Sequence, residues 1–245
     1  MPIGNLLKHL TVVAIMDARP ELGVVGPRLV DEAGRVQPTA RRFPAVWREL
    51  LRRFGLYRAL GRSRAADWLL ADFWPHDAAR EVDWVVGACM LVRREVFYQT
   101  DGFDAEIFLY GEEQEWCWRI RRAGWTIAFE PAVTVVHRGG ASAPESDAWR
   151  TRLALEGDLY FQRRHATSLG RRLSVLARAA GLAFEAAAFG ILSLCKPSGY
   201  VRDRLDTAWL ELRMWLAIVA GRGRREGSRE RRLKLTSLIE MEKTH

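Results

Sequence analysis

Residues 108–125 read Phe108-Leu109-Tyr110-Gly111-Glu112-Glu113-Gln114-Glu115-Trp116-Cys117-Trp118-Arg119-Ile120-Arg121-Arg122-Ala123-Gly124-Trp125. Acids Glu112, Glu113 and Glu115 open this stretch. Bases Arg119, Arg121 and Arg122 close it, and Gly124 stands just beyond. Both charge biases complement a helix dipole, and the glycine suits a left-handed cap, so the spacing predicts a helix over 112–123. Trp116, Ile120 and Ala123 share one face, which is predicted to be core. The dipole alone accounts for acids at a helix start; the neighbourhood is what points to chemistry. Gly102-Phe103-Asp104 precede them, and His137 follows Glu113 by 24 residues at a predicted strand end, beside Gly139-Gly140. Loops beyond strand ends host sites in α/β folds.

Working outward, Thr126–Phe129 and Val133–Val136 read as two strands separated by Pro131. Upstream, Arg94–Thr100 is a short predicted helix and Asp101-Gly102 a turn. Cys89-Met90-Leu91-Val92 is an apolar run of the kind that forms a buried strand. Val82, Trp84, Val85 and Val86 precede it, across Gly87-Ala88. Residues 61–80 are polar and irregular, and a helix is predicted over about 46–60. Arg28–Val30 and Val36–Gln37 flank Asp31-Glu32-Ala33-Gly34, a hairpin turn with glycine at positive φ. Leu22–Val25 is a short apolar run broken by Gly26-Pro27. Residues 4–18 carry Leu6, Leu7, Leu10, Val13 and Ile15 at mostly helical spacing, ended by Pro20. Met1–Met16 lacks the pattern of a secretory signal.

The chain has 245 residues, 49% hydrophobic and 28% charged. That composition buries a core and excludes wholesale disorder. Cys89, Cys117 and Cys195 are too few and too scattered for a disulfide framework or a zinc site, so a reducing cytosolic setting is the expectation. Net charge is +8 and unevenly placed: residues 1–140 carry 19 Lys/Arg against 18 Asp/Glu, and residues 141–245 carry 19 against 12. A basic C-terminal part points to an anionic partner surface, or simply to a solvated helical face.

From Ser142 the character changes. Asp147–His165 reads as helix. Leu173–Cys195 is Ala/Leu/Phe-rich and near spanning length, interrupted by Arg178 and Glu185 and flanked by Arg171-Arg172 and Lys196. A central glutamate argues against a clean transmembrane helix. Two alternatives stand open. One is a helix lying in a membrane interface or hairpinned against Trp209–Val219, with Arg222, Arg224 and Arg225 suited to anionic headgroups. The other is a soluble helical pair.

Together these motifs resemble glycosyltransferase family 2, the inverting nucleotide-sugar-dependent enzymes, and among them the bacterial rhamnosyltransferase-like members. The resemblance is carried by Val82-Asp83-Trp84-Val85-Val86-Gly87-Ala88-Cys89-Met90-Leu91-Val92-Arg93-Arg94, then Gly102-Phe103-Asp104. It continues through Phe108–Glu115, Arg121–Trp125 and Val135-Val136-His137-Arg138-Gly139-Gly140. Pro20–Pro27 and Gly34–Pro38 also fit. It covers about residues 10–142. It implies an α/β fold: the acceptor-side part of a GT-A-type, Rossmann-like domain over 1–142, then a basic, amphipathic helical extension over 143–245.

The resemblance also implies roles. Glu113 falls where the family's general base stands, usually an Asp, to take the proton of the acceptor hydroxyl. Glutamate there is a departure, placing the carboxylate about one methylene further out. Glu112 would orient that base or bind acceptor, and Glu115 matches a further acidic position. Asp83, Trp84 and Gly87 match the substrate-facing strand, where Trp84 would stack on a sugar or pack in the core. His137 matches a position that helps hold a divalent metal, Mg²⁺ or Mn²⁺, on the donor diphosphate in some members. The implied partners are a nucleotide-sugar donor, a glycan or lipid-linked acceptor and an anionic membrane surface, and the implied location is the cytoplasm, peripheral on the inner face of the cell membrane.

The family's nucleotide-binding half and its Asp-x-Asp motif are expected upstream of this stretch. The first aspartate here is Asp17, so roughly 80–100 residues of a family member are expected to be missing. One histidine is a poor site for a hard divalent ion. Inverting transfer of a sugar, rhamnose from a dTDP donor among the candidates, is the leading expectation, with activity of this chain in doubt. A non-catalytic module docking on a membrane or partner is the alternative. Nucleic-acid binding ranks last, because no recognised motif accompanies the arginines.

Overall fold

The computed structural model describes residues 11–55, 74–139, 147–196 and 198–220. The chain divides into two compact units, Met1–Glu145 and Ser146–His245.

In the first unit a helical segment, α1, covers residues 11–17. The main sheet is built on β1 (Leu22–Val30), which pairs in parallel with β7 (Thr126–Val136) from Leu22↔Thr126 to Val30↔Val136. β2 (Val36–Gln37) and β6 (Leu91–Val92) add antiparallel to β1, and β4 (Arg80–Glu81) adds antiparallel to β7. A two-stranded sheet of β3 (Ala40–Arg41) and β5 (Trp84–Val85) completes the strands of the described residues. Three helices punctuate them: α2 (Val46–Arg53), α3 (Arg94–Thr100) and α4 (Glu112–Arg122).

Alternation along β1 and β7 sends side chains to both faces, and both faces are covered. Val24, Ile127 and Phe129 join Trp116, Cys117 and Ile120 of α4 on one side. Leu22, Val25 and Ala128 join Val12 and Met16 of α1 on the other. A strand buried on both faces needs an almost unbroken apolar run, which β1 has. Burial of the Cys117 thiol pushes its pKa up to about 12, so it is an inert core group.

Several expectations change in detail. Gly26-Pro27 does not break the first strand, and Pro131 does not divide the last. The pairing Pro27↔Glu130 is followed by Arg28↔Thr134, so the register shift falls where both prolines lack an N–H to give the ladder. Gly26 is required by packing: a Cβ there would stand 2.7 Å from Val85 Cβ. The Cys89–Val92 run narrows to a two-residue strand, half-buried at Leu91 and Val92. The predicted hairpin holds, with Gly34 at φ 77° and its N–H donating to the Asp31 carbonyl at 2.9 Å. Helix α4 ends as expected, with Gly124 beyond it at φ 95°, and Trp116 and Ile120 are core, but Ala123 is exposed. Residues 4–10 and 56–60 of the two predicted early helices lie outside the described residues, as do residues 61–73.

The second unit is helical: α5 (Asp147–His165), α6 (Ser168–Cys195) and α7 (Gly199–Val219). Thr167 Oγ1 accepts from the Gly170 N–H at 3.1 Å and Ser198 Oγ from the Val201 N–H at 3.3 Å, capping α6 and α7. Leu155, Leu159, Leu182, Leu212, Trp215 and Ile218 form the core, so α6 is hairpinned against α7. The Arg178 guanidinium pairs with Asp158 at 2.7 Å and lies 5.0 Å from the Trp215 ring centroid. Arg222, Arg224 and Arg225 lie outside the described residues.

Candidate functional site

The chain enters α4 through two consecutive residues at positive φ, Tyr110 (66°) and Gly111 (103°). Tyrosine in that region is uncommon, and such conformations cluster at functional sites. The turn aims the first helical side chains. The Gly111 N–H donates to Glu113 Oε2 at 3.2 Å, folding the Glu113 carboxylate back over the helix start, where it is only 8% exposed. Gly87 lies directly against it: a Cβ at 87 would be 3.4 Å from Glu113 Cβ and 3.8 Å from its carboxyl carbon.

Glu112 is half-buried, and its Oε2 is a buried atom without a hydrogen-bond partner. Burial, followed by the neighbouring Glu113 charge, pushes its pKa up to about 7. A Glu112 carboxyl that near-neutral pH does not fully ionise can hold a proton next to Glu113, the arrangement acid–base chemistry requires.

The remaining predicted residues are held in other ways. Glu115 is fully buried and accepts from Arg119 Nε at both oxygens, 3.0 and 2.9 Å, and from Nη2 at 2.7 Å. Arg119 also donates to the carbonyls of Thr100 and Gly102. Glu115 is thus buried and joined, through Arg119, to the Thr100 and Gly102 carbonyls. Phe103 packs edge-on to Trp116 at 4.7 Å, and Trp116 Nε1 donates to Thr100 Oγ1 at 2.7 Å.

Asp83 accepts from Arg42 Nη1 at 3.0 Å and from the Phe43 N–H at 2.8 Å, so it pins the segment after β3. Trp84 donates Nε1–H to the Arg42 carbonyl at 3.1 Å, with the Arg41 guanidinium 5.7 Å from its ring centroid. Of the predicted set, Glu112, Glu113 and Gly87 come together. Trp84 lies in β5, Asp83 just before it and Gly87 in the turn after it.

His137 stands apart. Its N–H donates to the Val30 carbonyl at 2.8 Å, and its Nδ1 lies 2.8 Å from Gln37 Oε1. Among the described residues no group of three or more His, Cys, Asp or Glu gathers to hold a metal ion. A hard divalent cation needs several oxygen ligands, so the described residues around His137 do not fit one.

Sequence reasoning missed Arg119, although its i,i+4 spacing from Glu115 is a signal. It also missed His76. That ring is 1% exposed, accepts from the Ala40 N–H at 3.3 Å through Nε2, and places Nδ1 2.8 Å from the Trp74 carbonyl. It stacks on Trp74 at 4.4 Å, and its bond to Ala40 holds β3, the antiparallel partner of β5. No pattern around His76 marks it.

Comparison with known proteins adds family context. The family described as glycosyltransferase like family 2 matches residues 34–156, half of the chain. N-acetylglucosaminyl-diphospho-decaprenol L-rhamnosyltransferase of Mycobacterium tuberculosis (strain ATCC 25618 / H37Rv) is 31% identical over 154 residues, 56% of this chain and 45% of that protein. Rhamnosyltransferase WbbL of Escherichia coli (strain K12) is 39% identical over 56 residues, 23% of this chain and 21% of that protein. Pre-mycofactocin glycosyltransferase of Mycobacterium tuberculosis (strain ATCC 25618 / H37Rv) is 29% identical over 118 residues, 48% of this chain and 21% of that protein. The chain thus spans less than half the length of each of these relatives.

Proposed function

Because the chain belongs to glycosyltransferase family 2, we propose that its first unit is the acceptor side of an inverting glycosyltransferase and that Glu113 is the general base. The acceptor is a glycan or lipid-linked sugar, and the donor a nucleotide sugar, with rhamnose the first to test because two of the relatives are named rhamnosyltransferases. Glu113 takes the acceptor hydroxyl proton as that oxygen bonds to the anomeric carbon. The bond from that carbon to the diphosphate breaks with inversion, and nucleoside diphosphate leaves. Glu112, its pKa raised by burial, holds a proton beside Glu113. Glu115 and Asp83, tied to arginines, are positioning residues in this scheme. Family members generally use a divalent metal. The proposal puts the protein in the cytoplasm, at the inner face of the cell membrane, where a lipid-linked acceptor is met.

The observation that carries the reading is the Glu112–Glu113 pair set against Gly87. The test is transfer from a panel of nucleotide sugars to lipid-linked acceptors by protein expressed from the complete open reading frame. Glu113→Gln should lower kcat by on the order of 10²–10⁴ with donor binding retained. Unchanged turnover in a folded Glu113→Gln protein refutes the base assignment. Donor bound by neither protein favours a non-catalytic docking module.

A further inference from the structure

Helix α6 has two faces of opposite character. Arg171, Arg178 and Glu185 recur every seven residues on one side, and Arg178 there is 8% exposed and paired with Asp158 inside the unit. On the other side Leu169, Leu173, Leu176, Phe184, Ile191 and Leu194 are 44–85% exposed, with Ala180 and Ala187 between them. These residues fall three or four apart or at multiples of that spacing, so they share one stripe roughly 38 Å long at 1.5 Å per residue. The central Glu185 does not interrupt it. An unbroken apolar stripe of this length marks an interaction surface.

The charges name the partner. Arg172 borders the stripe, Lys196 follows its end, both are exposed, and no acid lies on it. Two copies packed stripe to stripe would bring the flanking cations of α6 together, with no acid on the stripe to answer them. An anionic lipid surface answers both the apolar stripe and its basic rim. The helix is long and apolar enough to cross a membrane, its most apolar 18-residue stretch having a mean hydropathy of 1.6. Its inner face, however, is packed with α7 around Leu182 and Trp215, so lipid cannot surround it.

We infer that α6 lies in the plane of an anionic bilayer, its Leu169–Leu194 stripe sunk to the boundary between headgroups and acyl chains, so that the second unit is a monotopic anchor. The inference is independent of the transferase reading, because lipid binding is read without donor or acceptor.

Flotation of the full chain with vesicles of equal parts phosphatidylcholine and phosphatidylglycerol tests it. Binding should be strong there and about tenfold weaker on phosphatidylcholine alone. Leu176→Gln with Ile191→Gln should weaken it on the order of a hundredfold. Both side chains point outward, so circular dichroism should stay unchanged. Bimane labels at Leu173→Cys, Phe184→Cys and Leu194→Cys, one at a time with Cys89→Ser and Cys195→Ser, then report depth by quenching with doxyl lipids. Equal, shallow depth is expected. A deep label at 184 between two shallow ones means a spanning helix and overturns the in-plane placement. No flotation, together with a dimer that Leu176→Gln dissociates, means the stripe is a self-association face and overturns the lipid assignment.

Discussion

Substituting Glu112→Gln should change how stability depends on pH, and the sign follows from the site. In the unfolded chain the Glu112 carboxyl titrates near 4.5; in the fold, burial and then the Glu113 charge raise it to about 7. Between those values the native state keeps a proton that the unfolded state has released. Stability is therefore fully present below 4.5, falls as pH rises and levels off above about 7. The whole displacement corresponds to about 3 kcal/mol. Glu112 retains partial solvent access, and screening brings the expected loss to ~1–2 kcal/mol. Glutamine cannot ionise, so the Glu112→Gln protein lacks this loss. Urea unfolding of both proteins, followed by tryptophan fluorescence from about pH 4 to about pH 8, gives the difference directly. The substituted protein should gain ~1–2 kcal/mol on the native protein across that range, with no further gain at higher pH. Parallel profiles would mean that Glu112 ionises as an ordinary surface carboxylate, and its role in holding a proton beside Glu113 would fall.

Other substitutions probe the frame around the pair. Arg119→Met breaks the ion pair at the fully buried Glu115 and should destabilise by ~3–5 kcal/mol in chemical unfolding, with Glu115→Gln on the same chain recovering much of it. Gly26→Ala puts a methyl group into Val85 and should cost ~1–3 kcal/mol; Val85→Ala in the same protein should restore it. Gly87→Ala crowds Glu113 at van der Waals distance, so turnover should drop about tenfold while stability changes by less than about 1 kcal/mol. A stability loss equal to that of Gly26→Ala would instead make Gly87 a packing residue.

The parts of the fold legible in the sequence are those governed by neighbours along the chain. Helix α4 announces itself through acids at its start, arginines at its end and Gly124 beyond, all local electrostatics and backbone geometry. The Asp31–Gly34 hairpin is likewise a four-residue signal. The strands were misjudged where distant segments decide. Gly26-Pro27 and Pro131 look like breaks when each is read alone, yet the two prolines meet across one register shift and the strands run through it. The same limit separates the site residues. The Glu112–Glu113 pair is legible because adjacency puts it on one helical turn. The commitment of Asp83 to Arg42 and Phe43 spans some forty residues of chain and leaves no local trace. The full burial of Glu115 against Arg119 depends on packing that the i,i+4 spacing alone does not show. The outward stripe of α6 is hidden from a hydropathy window, which averages Arg178 and Glu185 with residues on the opposite side.

The bonds of Arg119 to the carbonyls of Thr100 and Gly102 have an entropic consequence. They fasten the turn before residues 104–110 to the same helix that those residues lead into, and the Gly111 N–H on Glu113 fastens the far end. The intervening segment is a closed loop whose ends are already joined in the free protein. The cost of bringing its ends together is met on folding and not at the moment a ligand arrives. A molecule that settles on the two carboxyls therefore has only seven residues' internal freedom left to restrict, and its affinity is correspondingly less eroded by ordering.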